Sequence, residues 1–506
     1  MKKRVVKTAL AVLFLLSQSA SFAQQLKIEE SILKDRKSFY YIDFSKYPKN
    51  LKNLPIGVFD SGTGGLTVLD ALVNFDQYDN VSQAAGKDGK LDFQSEKFIY
   101  LADQANMPYG NYNAAGKDDL LKEHIIKDFQ FLLGNKYYQK AEDQNFKKDK
   151  EPVKAIVIAC NTATAYGFHD ALKFMEKTGL NIPVIGVINA AVRGTLSFFD
   201  KDENGSIGVF ATVGTIASKG YERTLREQIQ ALGYKGDIQI FNQGGYGLAE
   251  AVDEEPNFLR RDVSAPWESY RGPSLDNPQY KIDKALLEVY NFKKENNALL
   301  CDDPNLDDCS VIQLNDAENY VRYHLVSLME QMRRTPDAQP LKALILGCTH
   351  YPYLVKEINT VFAELRNYKD RSGNYVYRHL IDDNIHIIDP SEYVAKELYE
   401  SLAARNLFSD KAHNMWEQSE FYISVPNVTN KHVVLDETGR FTYDYKYGRH
   451  AGEIQEYIKN VPFDRDNISE ETLSRFKKLI PNTFKLMENF SLKNKKTRYL
   501  DPKKRI

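Results

Sequence analysis

IGVFDSGTGGLTVLDAL spans residues 56–72. Ile56 to Phe59 is apolar throughout and short, as a strand buried on both faces of a parallel sheet must be. The loop Asp60 to Gly65 then leads into Leu66, Leu69, Leu72 and Val73, apolar at helical spacing. Strand, small-residue loop and helix in that order open an α/β unit. The tetrapeptide returns at 207–210, where IGVF is followed by ATVGTIAS. A second matched pair follows each copy: AIVIACNT at 155–162 and ALILGCTH at 343–350 are apolar strands ending in a cysteine and small polar residues. Two matched pairs in the same order predict a duplicated α/β fold. Its two pseudo-symmetric domains carry mostly parallel sheets flanked by helices, with the site in the cleft between them. Apolar runs at Phe98–Leu101, Val184–Ile188, Ile238–Phe241 and Ile385–Ile388 supply further strands.

The 506 residues are enough for two or three domains. With 42% hydrophobic and 27% charged residues the chain has ample core, which excludes a disordered protein. Lys and Arg number 67 against 69 Asp and Glu, so no basic excess points to nucleic acid. No run reaches the ~18 apolar residues of a membrane span. At the start, Lys2, Lys3 and Arg4 precede the apolar stretch Ala9 to Leu16 and the small residues Ser21 and Ala23. This pattern predicts a secretory signal peptide over 1–23, cut after Ala23, and an exported, periplasmic protein. The expected organisation continues with a lead-in over 24–54 whose Tyr40, Tyr41 and Phe44 pack on the body. The first part of domain A covers 55–188. Domain B covers 189–377 with an insertion at about 253–310, the chain returns to domain A over 378–425, and an extension covers 426–506.

Each half places a cysteine, Cys160 or Cys348, where a buried strand ends before a helix, the position at which open α/β sheets bind ligands. A helix N-terminus there favours thiolate. A single such cysteine is as readily a core residue. Two at equivalent positions of a duplicated fold would face one ligand from opposite sides. That arrangement suits inversion of an amino-acid stereocentre, one thiolate removing the α-proton and the other thiol supplying a proton to the opposite face. The charge that develops on the substrate carboxylate needs hydrogen-bond donors. The Asp60–Ser61 loop, Asn161–Thr162, the 212–215 loop and Thr349 offer them. Asp60 and His350 are candidates to tune the two thiols.

IGVFDSGTGGLTVLDAL (56–72), DQANMPYG (103–110), VIACNTATA (157–165), IGVFATVGTIASKGY (207–221) and LILGCTHYPYL (344–354) together resemble the glutamate racemases, cofactor-independent enzymes of the aspartate/glutamate racemase superfamily. The resemblance covers roughly 55 to 425. It implies that Cys160 and Cys348 are the acid/base thiols and that Asp60 and His350 are auxiliary groups. It also implies substrate contacts at Ser61, Tyr109, Gly110, Asn161, Thr162, Thr215 and Thr349. Glu250 is its candidate for an auxiliary glutamate. It further implies a small amino-acid substrate, no cofactor, a role in cell-wall peptidoglycan and a homodimer. Two alternatives stay open: a racemase of the same superfamily for another amino acid, and a catalytically silent protein that binds amino acids or peptidoglycan fragments.

Cys301 and Cys309 bracket CDDPNLDDC in the insertion. Without CxxC pairs no zinc site is expected, and in an exported protein they are read as a disulfide. Asp200 to Gly205 begins like a calcium loop but has Ala211 at its twelfth position, which favours a polar turn. No metal site is therefore expected. The Tyr-, Lys- and Asn-rich tail is read as a packed extension with a solvated basic end.

Overall fold

The computed structural model describes residues 26–411 and 415–506, so the expected leader at 1–23 lies outside the described residues. The strands are β1 (Ile56–Asp60), β2 (Phe98–Ala102), β3 (Ala155–Ile158), β4 (Val184–Gly186), β5 (Gly205–Ala211), β6 (Ile238–Gly244), β7 (Leu299–Cys301), β8 (Ile312–Leu314), β9 (Leu341–Gly347), β10 (Ile381–Ile388), β11 (Glu420–Pro426) and β12 (Ile458–Pro462). Six of them form a sheet in the order β12-β11-β2-β1-β3-β4, and four form a second in the order β10-β9-β5-β6. All pairings in these two sheets are parallel except β11 with β12. β7 in the insertion and β8 just after it make a separate antiparallel pair.

The duplication shows in the register. Each IGVF strand lies between the strand that follows it and its cysteine strand: β2-β1-β3-β4 in the first sheet, β6-β5-β9-β10 in the second. Phe59 pairs with Ile158 and Phe210 pairs with Leu346. Each cysteine is thus two residues beyond the partner of the IGVF phenylalanine, at the carboxyl edge of its sheet. β1, β2, β3 and β5 are buried along their whole length, which is why they read as unbroken apolar runs.

One face of the second sheet, with Ile207, Val209, Ala343 and Ile345, shares a continuous core with the first domain. The helices Val187–Leu196 and Pro390–Ala404, packed on each other, belong to that shared core. The other face, with Phe210, Leu344 and Leu346, forms a second core under the helices Ala317–Arg334 and Val355–Asn367. The insertion folds onto this second core through Leu259, Ile282 and Tyr290. Cys301 and Cys309 are joined as a disulfide within it. Residues 200–205 form a turn leading into β5, as a polar turn there requires.

Two boundaries are corrected. Residues 381–388 are β10, hydrogen-bonded to β9 in the second sheet, so the chain returns to the first domain at the helix Pro390–Ala404 rather than at 378. The segment 426–506 is more than an extension, because its β12 closes one edge of the first sheet. Leu473, Phe476, Phe484, Met487 and Phe490 of its helices Glu470–Leu479 and Pro481–Lys493 are buried in the shared core. The lead-in is also anchored: the Tyr47 hydroxyl donates to the Val153 carbonyl at 2.6 Å and Tyr40 is buried. A buried ion pair, Lys154 with Glu96, holds β3 against the loop before β2, and Lys154 Nζ also donates to the Lys52 and Leu407 carbonyls. No described helix is long and apolar enough to cross a membrane.

Candidate active site

Cys160 is the N-cap of the helix Asn161–Thr178, and its sulfur accepts a hydrogen bond from the Ala163 N–H at 3.4 Å. Its thiol lies 3.5 Å from the Ser61 hydroxyl. Asp60, at the end of β1, is buried beside it and accepts from the Gly65 N–H at 2.8 Å. The loop closes this tightly because residue 65 is glycine: a Cβ there would fall 2.5 Å from the Asp60 Cβ and 3.0 Å from that of Ala159. Burial pushes the Cys160 thiol up to about 12, and the Asp60 charge adds to the shift. Burial likewise raises Asp60, against the opposing pull of the Gly65 hydrogen bond. Cys160 therefore holds its proton at neutral pH.

Cys348 follows the end of β9 and is also buried. The internal symmetry stops here. Cys348 precedes a turn and the short 3-10 segment Tyr351–Leu354 instead of capping a helix, so the expected helix N-terminus is missing on this side. A histidine takes its place. His350 Nδ1 lies 3.5 Å from the Cys348 sulfur, and its Nε2 lies 3.2 Å from Asp253 Oδ2. Burial alone would lower the His350 pKa, but the hydrogen bonds to Asp253 and Cys348 outweigh it and raise the pKa to about 10. The ring is an imidazolium at neutral pH, held between the Asp253 carboxylate and the Cys348 sulfur.

Two hydrogen bonds tie the two sulfur-bearing edges together, and a close approach of loops accompanies them. Asn161 Nδ2 donates to the Gly347 carbonyl at 3.4 Å, and the Tyr221 hydroxyl donates to Asn161 Oδ1 at 2.9 Å. A Cβ on Gly64 would meet Asp60 Oδ2 at 3.5 Å and Thr349 Oγ1 at 3.7 Å, so the first-domain loop faces the second-domain turn. A small cavity is lined by Ala159, Asn161, Leu346, Cys348, Thr349 and Asp389. Thr162 sits half-buried in the first turn of the Cys160 helix, where backbone N–H groups are free to meet a carboxylate. Thr215 lies in the short helix Val213–Ala217 that follows β5. Its N–H donates to Thr212 Oγ1 at 3.2 Å, and the two threonine hydroxyls are 2.9 Å apart.

One side chain departs from the expected placement. The Tyr109 side chain is fully buried, its hydroxyl held between Asp103 at 2.5 Å and Asp128 at 2.8 Å. A phenol has one proton to give. The two carboxylates compete for it as acceptors, and burial together with the Asp103 charge raises Asp128 above the usual carboxylate range. Tyr109 thus offers a ligand only its backbone, next to exposed Gly110. His350 also has an acidic partner that the sequence reading did not single out, Asp253. Asp253 lies immediately after the helix Leu248–Val252, one turn beyond Glu250. The sequence DEE at 253–255 offers three carboxylates in a row, and nothing in their spacing singles out the first.

The His350 assignment predicts a pH dependence. The folded pKa of about 10 lies above the ordinary histidine value of ~6.5. The stabilising contribution is complete below about pH 6.5 and disappears as pH rises through about 10. Urea unfolding of the wild type and of His350→Asn should differ most at pH 6 and converge above pH ~10. A constant difference across that range would remove the charge from His350.

No family model matches the chain. It is 31% identical over 312 residues to a glutamate racemase of Aquifex pyrophilus, a match covering 60% of this chain and 98% of that protein. It is 34% identical over 355 residues to a glutamate racemase of Chlorobaculum tepidum, covering 70% of this chain and 82% of that one. Among solved structures, a glutamate racemase isoform from Bacillus anthracis aligns with a TM-score of 0.40 at 22% identity, covering 73% of this chain and 87% of that one.

Proposed function

The chain belongs to the glutamate racemase family, and from that membership together with the site geometry we infer that it interconverts L- and D-glutamate through Cys160 and Cys348. The observation that carries the reading is the placement of the two thiols at the same register position of two duplicated sheets whose edges meet through Asn161 and Gly347.

The chemistry follows from the two environments. On the Cys348 side the sulfur takes the α-proton as an S–H bond forms, and the electron pair left at Cα delocalises into the substrate carboxylate. The N–H groups of the Cys160 helix and the hydroxyls of Thr162 and Thr349 would receive that charge. Cys160, which keeps its proton, gives it to the opposite face of Cα, and the configuration inverts. In the reverse direction the two sulfurs exchange roles. His350 stabilises the anion on its sulfur, while Asp60 and Ser61 hold the Cys160 thiol in place.

The same proposal places the mature enzyme outside the cytoplasm, supported by the leader-like segment at 1–23 and by the Cys301–Cys309 disulfide. D-glutamate made there would serve peptidoglycan chemistry. A panel of single L- and D-amino acids incubated with the full chain and resolved by chiral chromatography tests the substrate. Conversion of glutamate well ahead of aspartate and of neutral amino acids is expected. Conversion of another amino acid, or of none, would replace this reading with one of the alternatives.

A further inference from the structure

We propose that Arg475, delivered by the C-terminal segment, is a positioning residue that holds Asp253 and, through it, His350 against Cys348. The proposal rests on the two-thiol reading above.

Asp253 Oδ2 is shared by two donors: His350 Nε2 at 3.2 Å and Arg475 at 2.9 Å. Its other oxygen, Oδ1, is buried with no hydrogen-bond partner among the described residues. The carboxylate is therefore fixed through a single oxygen, and Arg475 is the second of its two anchors. The anchors come from different parts of the fold. Asp253 and His350 sit at the carboxyl edge of the second sheet. Arg475 lies on the helix Glu470–Leu479, whose Leu473 and Phe476 are buried in the core shared with the first domain. The next helix is tied to the first domain as well: the Thr483 hydroxyl donates to Asp70 Oδ1 at 2.8 Å. The Arg475–Asp253 pair thus reaches from a segment docked on the first domain to the acid/base apparatus of the second.

Charge supports the arrangement. Burial alone would raise Asp253, but His350 and then Arg475 hold it below the usual carboxylate range. Asp253 is therefore ionised and able to orient the imidazolium. The other titratable groups that face His350 are the Cys348 sulfur on its own turn and Glu255 in the loop after Asp253. Arg475 reaches this cluster from outside the second sheet's own segments. Without it Asp253 would keep one hydrogen bond, and the imidazole would turn more freely relative to the sulfur.

Because His350 touches Cys348 and not Cys160, the effect must be confined to one face of the substrate. Elimination of chloride from 3-chloroglutamate reads each face separately. One thiolate removes the α-proton, the Cα–Cβ double bond forms, the Cβ–Cl bond breaks and chloride leaves. Each configuration at Cα presents its proton to one sulfur only. Cys160→Ser and Cys348→Ser in the full chain assign which enantiomer uses which. Arg475→Met should then slow elimination from the Cys348-facing enantiomer on the order of tenfold. The other enantiomer should stay within about twofold, and Arg475→Lys should recover most of the loss. Asp253→Asn, which keeps the side-chain shape, should give the same one-face loss. Equal losses on both faces, or no loss on either, would overturn the proposal. If the wild type eliminates from neither enantiomer, or if the two serine variants show no facial preference, it is the two-thiol reading that fails instead.

Discussion

Replacing either Cys160 or Cys348 by serine is expected to lower glutamate racemisation on the order of 10²–10⁴-fold, the scale of a lost general acid or base. A serine hydroxyl is far too weak an acid to exist as an anion beside Asp60, where burial already pushes even the thiol up to about 12. It also shortens the reach from a helix cap that the sulfur spans to the Ala163 N–H. The loss should be the same for L- and D-glutamate in each variant, since both directions use both sulfurs. The folded state should be little changed, because both sites are buried against small groups that a hydroxyl can satisfy: Ser61 on one side and His350 on the other. Chiral chromatography of the product measures the loss. A variant that still racemises within about tenfold of the wild type would remove that cysteine from the mechanism.

Deleting residues 427–506 is expected to abolish folding altogether. The deletion strips β12 from β11, where Tyr422 to Pro426 are paired with Ile458 to Pro462, and leaves a long hydrogen-bonding edge open. It removes Lys496, the partner of buried Glu420, and an uncompensated buried charge of that kind costs about 3–5 kcal/mol. It also uncovers the apolar surface on which Leu473, Phe476, Phe484, Met487 and Phe490 pack, each worth about 1.5–3 kcal/mol of burial. Against a net stability of about 5–15 kcal/mol these losses are decisive. Circular dichroism and urea unfolding should find no cooperative transition. A truncated chain that unfolds cooperatively and still racemises would show the segment to be an appendage.

The parts of this molecule that were legible in its sequence are those buried on both faces. β1, β3, β5 and β9 announce themselves as apolar runs because helices or the opposite domain cover each side, and the repeated IGVF fixes their correspondence. The cysteine pair follows from the same repeat. β12 was hidden because it is an edge strand with a lysine and an asparagine among its five residues. Lys459 lies buried only because its ammonium finds the Ala141 and Asp143 carbonyls, partners far away in the chain. The direction of the Tyr109 side chain depends on Asp103 and Asp128 meeting across a helix and a loop, which no local pattern encodes. Arg475 was out of reach for the same reason: its partner lies in the other domain, and a single arginine in a charged amphipathic helix carries no sign of its target.

The central claim is that two opposed thiols exchange protons with one α-carbon, and solvent isotope incorporation tests it most directly. The full chain is incubated with L-glutamate in heavy water, and each enantiomer is separated and analysed by mass spectrometry at early times. The donor sulfur carries solvent deuterium, so the newly formed D-glutamate should carry one deuterium at Cα from the first turnovers. The remaining L-glutamate should stay largely unlabelled, because its proton is removed by one sulfur and replaced by the other. Equal early labelling of both enantiomers would indicate a single base serving both faces, and D-glutamate formed without deuterium would indicate direct transfer of the substrate's own proton. Either result would contradict the two-thiol account.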